Sequence, residues 1–452
     1  MTDLVPPSQT LRVRALKGTA ASLGMTVGGQ ALRFGSNLIL TRLLFPEAFG
    51  LMALVQVVLA GTELLSDAGI TASVMRSEHG DDTRFLNTAW VLQAVRGVLL
   101  WGVVCLLAPI FASLYEQPQL RTILPVSGLL LVLMSLQPVK VMIARRHMML
   151  GRLSALTLVA QALGLVGMAL LAWWLQSVWA LVIGSLIQPA LVNIFARLYL
   201  PGPPARLEFD RTYAREILSF GKFLFFSTMA TYIIKQSDRA VLGGLVSVGL
   251  LGVYNIGFML ASLPVMMVSA VTGSVVYPLY RMRHPSESAQ NRGHILRARR
   301  LVTGAGLSAL IGMALIAPWF VDLLYDDRYV LAGSVATLLC AAQVPVVLFD
   351  GTMNAVLVKG DSWRFMLMNV TTAVLQLALL AGLATLLDVP GAIAAIGLAP
   401  LLSYPLLARF LTRYGNWDPL GDALLLAYGF AGTGFAVWLH LDRIIPLFTA
   451  TA

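Results

Sequence analysis

The stretch GTAASLGMTVGGQALRFGSNLILTRLL, residues 18–44, is apolar over a length sufficient to cross a bilayer, yet it holds a cation, Arg33, in its interior. At 1.5 Å per helical residue, Arg33 lies about 22 Å from Gly18. A charged side chain near the middle of a bilayer costs about 2.5–3.5 kcal/mol on insertion scales, so it normally faces a protein interior or a water-filled cavity. The stretch therefore reads as a membrane helix whose cation needs a counter-ion or a ligand.

The rest of the chain fits that reading. Its 452 residues are 58% hydrophobic and only 12% charged, with mean hydropathy +0.79. A soluble protein carries about twice that share of charge. At about 20 apolar residues per span, further segments fall near 47–73, 85–113, 119–143, 152–175, 177–199, 214–244, 247–279, 295–322, 330–357, 363–387, 391–411 and 420–440. The expected fold is an all-α, polytopic transmembrane bundle of about 12 to 14 helices.

Charge fixes an expected orientation. With the N-terminus cytoplasmic, 23 of the 32 lysines and arginines fall in inner connections and four (Arg42, Arg121, Arg328 and Arg443) in outer ones, as the positive-inside bias requires. The remaining five are Arg33, Arg96, Lys222, Lys235 and Arg239, inside or near the ends of spans. Anionic lipid beside the inner loops accounts for most of the net charge of +10. Nucleic acid is not an expected partner, because no basic stretch belongs to a soluble reading module.

Enzyme chemistry finds no support. The longest connections, 201–213 and 281–294, are too short for a catalytic domain. There is no phosphate-binding glycine loop, His-Glu-x-x-His or nucleophile elbow. The five histidines are scattered, and Cys105 and Cys340 fall in apolar segments, so neither metal nor cofactor is expected. The first apolar segment lacks a convincing cleavage site and reads as an uncleaved helix.

The linker Pro201-Gly-Pro-Pro-Ala-Arg-Leu-Glu-Phe-Asp-Arg-Thr-Tyr213 divides the chain, since its prolines stop the sixth span. The expected plan is a six-helix lobe over 1–200, a cytoplasmic linker over 201–213, a second six-helix lobe over 214–412 and a further helix in 413–452. A shift of 202 positions pairs Arg33 with Lys235, Asn37 with Arg239 and Gly50 with Gly252. Two such copies with an even number of helices run parallel, and a cavity between them is a natural transport site.

Intramembrane polar residues supply the candidate site. Glu63 lies about 15 Å and Arg96 about 17 Å from the inner ends of their segments, depths that permit a pair and leave Arg33 without an obvious counter-ion. Glu63 and Asp67, four apart, share one helical face. Like charges so placed raise at least one pKa, which suits proton exchange, although a structural ion pair and an interfacial carboxylate read equally well. In the seventh segment the spacing permits a Lys235–Asp238 salt bridge, and Arg239 near the outer end can snorkel. The sharper alternative has Lys235 and Arg239, with Arg33, binding an anionic headgroup. Asp350, with Gln343 and Asn354, forms another polar stripe. Asn255, Asn369 and Gln376 read as helix-to-helix glue, and Pro125, Pro138, Pro264, Pro345 and Pro400 as sites of bending.

The run Leu40-Thr-Arg-Leu-Leu-Phe-Pro-Glu-Ala-Phe-Gly-Leu-Met-Ala-Leu54, preceded by Gly29-Gln-Ala-Leu-Arg33 and followed by Asp67-Ala-Gly-Ile70 and Asn87-Thr-Ala-Trp90, resembles Wzx-type polysaccharide flippases of the MOP superfamily. That resemblance implies a two-lobed, V-shaped bundle in a bacterial inner membrane. It also implies alternating access that carries an undecaprenyl-diphosphate-linked oligosaccharide from the cytoplasmic to the periplasmic leaflet. The implied substrate-binding cations are Arg33, Arg96, Lys235 and Arg239; candidates for ion or proton coupling are Glu63, Asp67, Asp238 and Asp350. Membrane lipids and a polysaccharide polymerase or export machinery are the implied partners. The competing reading is a cation-coupled multidrug exporter of related architecture, which would want a cavity of carboxylates and aromatics rather than cations.

Overall fold

The computed structural model describes residues 11–65, 70–147, 149–220, 224–276, 279–280, 288–358 and 361–449, and these hold helices and no strand. In chain order the helices are α1 (Leu11–Leu43), α2 (Pro46–Leu65), α3 (Ile70–Arg76), α4 (Thr83–Leu114), α5 (Leu120–Ser135), α6 (Val139–Arg146), α7 (Leu150–Leu175), α8 (Val178–Tyr199) and α9 (Arg211–Phe220). There follow α10 (Leu224–Leu242), α11 (Val248–Val271), α12 (Ala289–Leu324), α13 (Leu331–Ala342), α14 (Val344–Val358), α15 (Ser362–Arg413), α16 (Pro419–Leu439) and α17 (Leu441–Thr449). In their described residues, the apolar segments read from the sequence fall largely on helix.

Among the described residues, α2, α4, α7, α8, α11, α12, α15 and α16 are each long and apolar enough to cross a membrane. The pairs α5–α6 and α13–α14 qualify as broken spans bent by 56° and 45°. Proline explains both bends: Pro138 precedes α6 and Pro345 stands in the first turn of α14, and neither donates the backbone hydrogen bond that would carry a helix through. In α15 the break is Asp388, whose φ of 50° is left-handed, so the element comprises two helices, 362–387 and 389–413. Two membrane-length helices are absent from the apolar set, α1 and α10. They are the ones that carry Arg33 and the Lys235–Asp238–Arg239 group.

The chain forms two compact units. The first contains α1, α3, all but the last two residues of α4, α5 to α9 and the first two residues of α10; the second contains α2, the rest of α10 and α11 to α17. In the first, α7 packs on α8 through small residues that let the backbones approach, Gly164 meeting Gln188 and Gly184 meeting Met168. Amides then tie the neighbours: Gln161 Nε2 donates to the Gly29 carbonyl at 2.6 Å, and Asn193 Nδ2 to that of Leu133 at 2.7 Å. The segment 201–210 is stitched to α4. Asn87 accepts from the Arg206 amide at 3.1 Å and donates to Glu208 at 3.0 Å, while Thr88 Oγ1 accepts from the Asp210 amide at 3.0 Å. The predicted span at 214–244 resolves into α9 and α10. Of these, α9 puts Ile217 into a buried cluster with Val74, Phe85, Leu86 and Met142 of the first unit.

In the second unit, α2 packs against α11 with unusual closeness. A Cβ on Gly50 would lie 2.8 Å from the carbonyl carbon of Val248, and a Cβ on Gly252 would lie 2.8 Å from that of Pro46. Ordinary carbon contacts are about 3.5–4.0 Å, so only glycine fits at either position. The contact is reciprocal under the 202-residue shift, since Pro46 corresponds to Val248 as Gly50 does to Gly252. A matching pair of tyrosines flanks it: Tyr329 donates to the Leu44 carbonyl at 3.0 Å and Tyr115 to that of Ala240 at 3.2 Å. Burial pushes the Tyr115 hydroxyl up to about 12, so it stays a donor at any physiological pH.

Candidate functional site

On α10, the residues from Ile234 to Arg239 meet three different environments within two turns. Gln376 of α15 clamps one side of the helix, donating to the Ile234 carbonyl at 3.0 Å and to Ser237 Oγ at 3.1 Å. This is the helix-to-helix role read for that amide. Asp238 is buried, and its Oδ2 accepts from the Tyr254 hydroxyl of α11 at 2.6 Å, while Oδ1 finds no hydrogen-bond partner. Arg239 is half-buried, its guanidinium 4.0 Å from the centre of the Phe258 ring and bonded to Gln236 Oε1 at 3.2 Å and the Lys235 carbonyl at 3.3 Å. Lys235 itself is exposed, and its ammonium makes no hydrogen bond or ion pair with any described residue.

In this arrangement the Lys235–Asp238 bridge that the spacing permits does not form. Three residues of helical rise separate the two side chains in sequence, but Asp238 turns into the packed face, where a tyrosine hydroxyl of the next helix meets it. Arg239 likewise does not snorkel; it lies on an aromatic face, an attractive placement for a guanidinium.

Arg33 on α1 is exposed and makes no hydrogen bond or ion pair with any described residue. Its neighbour one turn back, Gly29, is the residue whose carbonyl Gln161 binds, so α1 is anchored just beside Arg33. Arg33 and Lys235, the pair matched by the 202-residue shift, thus share one condition: each is an uncommitted cation on a membrane-length helix.

The other candidates differ. Arg96, in the first unit, and Glu63, in the second, are both half-buried, and neither is without a partner. Asp67 lies outside the described residues. Asp350 on α14 accepts from Ser269 Oγ of α11 at 2.6 Å, one turn before a π-helical stretch at Thr272–Val276. Gln343, at the α13–α14 bend, is buried with its amide nitrogen unbonded; the side chain of Asn354 lies outside the described residues. Among those residues no group of histidine, cysteine and carboxylate side chains is placed to hold a metal.

One polar cluster was not legible in the sequence. Arg299, counted there among the loop cations, is buried within α12, which begins six residues before the predicted span. Its guanidinium donates to Asp422 of α16 and to the Asn416 carbonyl at 3.1 Å. Tyr404 donates to the same carboxylate at 2.7 Å, and Asn416 donates to Tyr280 Oη at 2.6 Å. Beside them Arg300 grips Asp418 with two bonds of 2.6 and 2.7 Å and holds its carboxyl below the usual carboxylate range. Both arginines stand more than a hundred residues from their partners, so no local spacing announces the pairs. The cluster leaves Arg299 Nε and Asn416 Oδ1 without hydrogen-bond partners among the described residues, and its ion pairs staple α12 to α16.

The geometry, then, is that of a helical membrane protein with uncommitted cations on its two most polar membrane-length helices. A family model described as polysaccharide biosynthesis protein matches residues 39–332. The chain belongs to that family. Among its relatives, this polysaccharide biosynthesis protein is 20% identical to the teichuronic acid biosynthesis protein TuaB of Bacillus subtilis, over 66% of this chain and 62% of TuaB. It is 21% identical to the lipopolysaccharide biosynthesis protein WzxC of Escherichia coli, over 73% of this chain and 67% of that one. It is 25% identical to the succinoglycan biosynthesis transport protein ExoT of Rhizobium meliloti, over 70% and 63%. The chain thus spans less than two thirds of the length of TuaB.

Solved structures agree on the fold. The lipid II flippase MurJ in an inward closed conformation superposes with a TM-score of 0.72 at 10% identity, covering 95% of this chain and 97% of that one. An inward-facing multidrug resistance MATE family transporter of the MOP superfamily gives 0.63 at 14% identity, covering 90% and 95%. The likeness drawn from the first two helices is borne out at the level of the family: the chain is a helical protein of the polysaccharide biosynthesis family, with membrane-length apolar helices among its described residues and a fold shared with flippase and transporter structures. Fold alone does not separate flippase from drug exporter, since both kinds of neighbour share it.

Proposed function

We propose that this polysaccharide biosynthesis protein carries a lipid-diphosphate-linked oligosaccharide from the cytoplasmic to the periplasmic leaflet of a bacterial inner membrane by alternating access, and that it is a transporter rather than an enzyme. The observation that carries the choice of cargo is the state of the cations. Arg33 and Lys235 are exposed and unpaired among the described residues, on helices where an idle charge is expensive. A diphosphate offers the acceptor oxygens that such donors lack. A multidrug exporter of the same fold would instead concentrate carboxylates and aromatics for cationic drugs; here the one fully buried carboxyl on α10 is already bonded to Tyr254.

Roles divide accordingly. Arg33 and Lys235 meet the headgroup. Arg239, held on Phe258, adds positive potential from a fixed position, and Arg96 is already engaged. For coupling, Asp238 is the best placed of the carboxylates, because it is buried, bonded to one hydroxyl and next in sequence to a cation; Glu63, Asp67 and Asp350 remain the other candidates. The expected N-terminus is cytoplasmic, and a polysaccharide polymerase or export complex would take the product on the far side.

The test is export of the glycan in a strain that lacks the chromosomal copy. Arg33→Ala and Lys235→Ala, each expressed at the wild-type level, abolish or strongly reduce export on this reading. Full export by both would remove the cations from the site and with them the argument for an anionic cargo.

A further inference from the structure

α7 and α8 lie side by side in the first unit, and an open groove of about 420 Å3 runs between them at one end. Arg152, Ala155, Leu156 and Val159 of α7 line it together with Phe195 and Tyr199 of α8. Its floor is closed, because Leu156 packs on the buried cluster of Val141, Ala144, Ala196 and Leu200. The walls are therefore apolar, and the two polar groups stand at the mouth. Arg152 is exposed and makes no hydrogen bond or ion pair with any described residue. Tyr199 is 66% exposed, its ring edge-on to Phe195 at 6.1 Å, and its hydroxyl is equally uncommitted among the described residues.

Depth says what environment this groove meets. Trp173 and Trp174, at the other end of α7, are 69% and 75% exposed, the placement of an aromatic belt at a membrane interface. From Trp173 back to Arg152 is about 32 Å along the helix, close to the roughly 30 Å of bilayer hydrocarbon. With the tryptophans at one interface, Arg152 stands at headgroup level at the other. The groove then runs from Arg152 to Val159, about 10 Å into the hydrocarbon. Charge supplies the remaining constraint. α7 and α8 contain two cations, Arg152 and Arg197, and no carboxylate, while Arg145 in the last turn of α6 adds another exposed cation at the preceding turn.

From these observations we propose that the α7–α8 groove is a binding site for an anionic glycerophospholipid of the surrounding leaflet. One acyl chain lies along Val159, Ala155 and Phe195, and the phosphate is met by the Arg152 guanidinium and the Tyr199 hydroxyl. A guanidinium suits phosphate oxygens because it presents paired donors, and basic pockets between spans at a cation-rich membrane face take anionic headgroups in this way. The site is separate from Arg33 and Lys235 and uses neither. Its effect is to fill the surface between two helices that otherwise meet through glycine contacts, so it ties the first unit to the composition of the membrane.

Native mass spectrometry of the full-length protein, released from nanodiscs of mixed phosphatidylglycerol and phosphatidylcholine, tests the site. The wild type should retain phosphatidylglycerol in preference to phosphatidylcholine. Arg152→Glu, at an exposed position that carries no packing, should lower retention at least tenfold. Val159→Trp, which fills the groove from a position 51% exposed, should also lose the lipid with Arg152 left in place. Arg152→Lys should retain an intermediate amount. Added phosphatidylglycerol should raise the melting temperature of the wild type and leave that of Arg152→Glu unmoved. Equal retention of both lipids, unchanged retention in Arg152→Glu and Val159→Trp, or recovery of a polyprenyl diphosphate as the species those variants lose would each overturn the assignment. None of these outcomes depends on transport, so they leave the cargo proposal to its own test.

Discussion

Gly50→Ala places one methyl group where the structure has no room for it. The added Cβ lies 2.8 Å from both the carbonyl carbon and Cγ1 of Val248 and closer still to the Val248 carbonyl oxygen. Carbon atoms settle at about 3.5–4.0 Å, so α2 and α11 must part by about 1 Å at the crossing. Overpacking of this kind costs about 1–3 kcal/mol. The loss is partly offset by the better helix propensity of alanine, worth about 0.5–1 kcal/mol. A control isolates that offset: Gly312 on α12 has nothing within 4 Å of its Cβ position, so Gly312→Ala should be neutral or slightly stabilising. Gly252→Ala should resemble Gly50→Ala, because its Cβ meets Pro46 at the corresponding distance. The double variant should cost less than the sum, since one separation relieves both clashes and neighbouring sites are not additive. Thermal unfolding in detergent, followed by intrinsic fluorescence, reads all four proteins. If Gly50→Ala and Gly252→Ala melt with Gly312→Ala, the close crossing is not a constraint. If their costs add fully, the two contacts are independent and the reciprocal geometry has no energetic meaning.

Other outcomes follow from the buried groups. Removing one partner of the Arg299–Asp422 pair, as in Asp422→Ala, strands a buried guanidinium and should cost about 3–5 kcal/mol in unfolding free energy; the joint replacement Arg299→Met with Asp422→Leu should recover most of that loss in the same melt. Asp418 has its folded pKa held below the ordinary carboxylate value by Arg300, so its contribution is present above that ordinary value and fades as pH falls toward the depressed one. Asp418→Asn should therefore lower stability at neutral pH and narrow the gap from wild type below about pH 4, and a constant gap across that range in a pH series of melts would count against the pairing. If Asp238 carries the coupling proton, Asp238→Asn should leave transport insensitive to an imposed pH gradient in vesicles, whereas Tyr254→Phe, which removes its donor, should shift that dependence without erasing it.

The helical architecture was legible because hydropathy is a collective signal: the described residues of the apolar segments fall largely on helix, and Pro138 and Pro345 mark the two broken spans. The shift of 202 positions pairs Gly50 with Gly252 in the sequence, but that these two glycines share one close crossing is a tertiary contact that the shift does not announce. What sequence reasoning missed depends on contacts between distant residues. The three-residue spacing permits Asp238 to pair with Lys235, but Tyr254 on the following helix takes the carboxylate instead. Arg299 looked like a loop cation because positive charge near a span end usually belongs to a loop; only Asp422, 123 residues away, makes its burial tolerable. α9 was absorbed into a span because an amphipathic helix abutting an apolar run leaves no boundary that hydropathy detects. Arg33, by contrast, was read as a charge without an obvious counter-ion, since no carboxylate stands near it in the sequence, and it makes no hydrogen bond or ion pair with any described residue.

Translocation itself is the most direct measurement. Proteoliposomes containing the purified protein and a fluorescent polyprenyl-diphosphate oligosaccharide, loaded into both leaflets, would be exposed to an enzyme that modifies only the outward-facing glycan. The account predicts that wild-type protein makes the whole lipid-linked pool accessible, that the Arg33→Ala and Lys235→Ala variants leave about half protected, and that protein-free vesicles do the same. Protection of half the pool in the presence of active, folded wild-type protein would contradict the central claim.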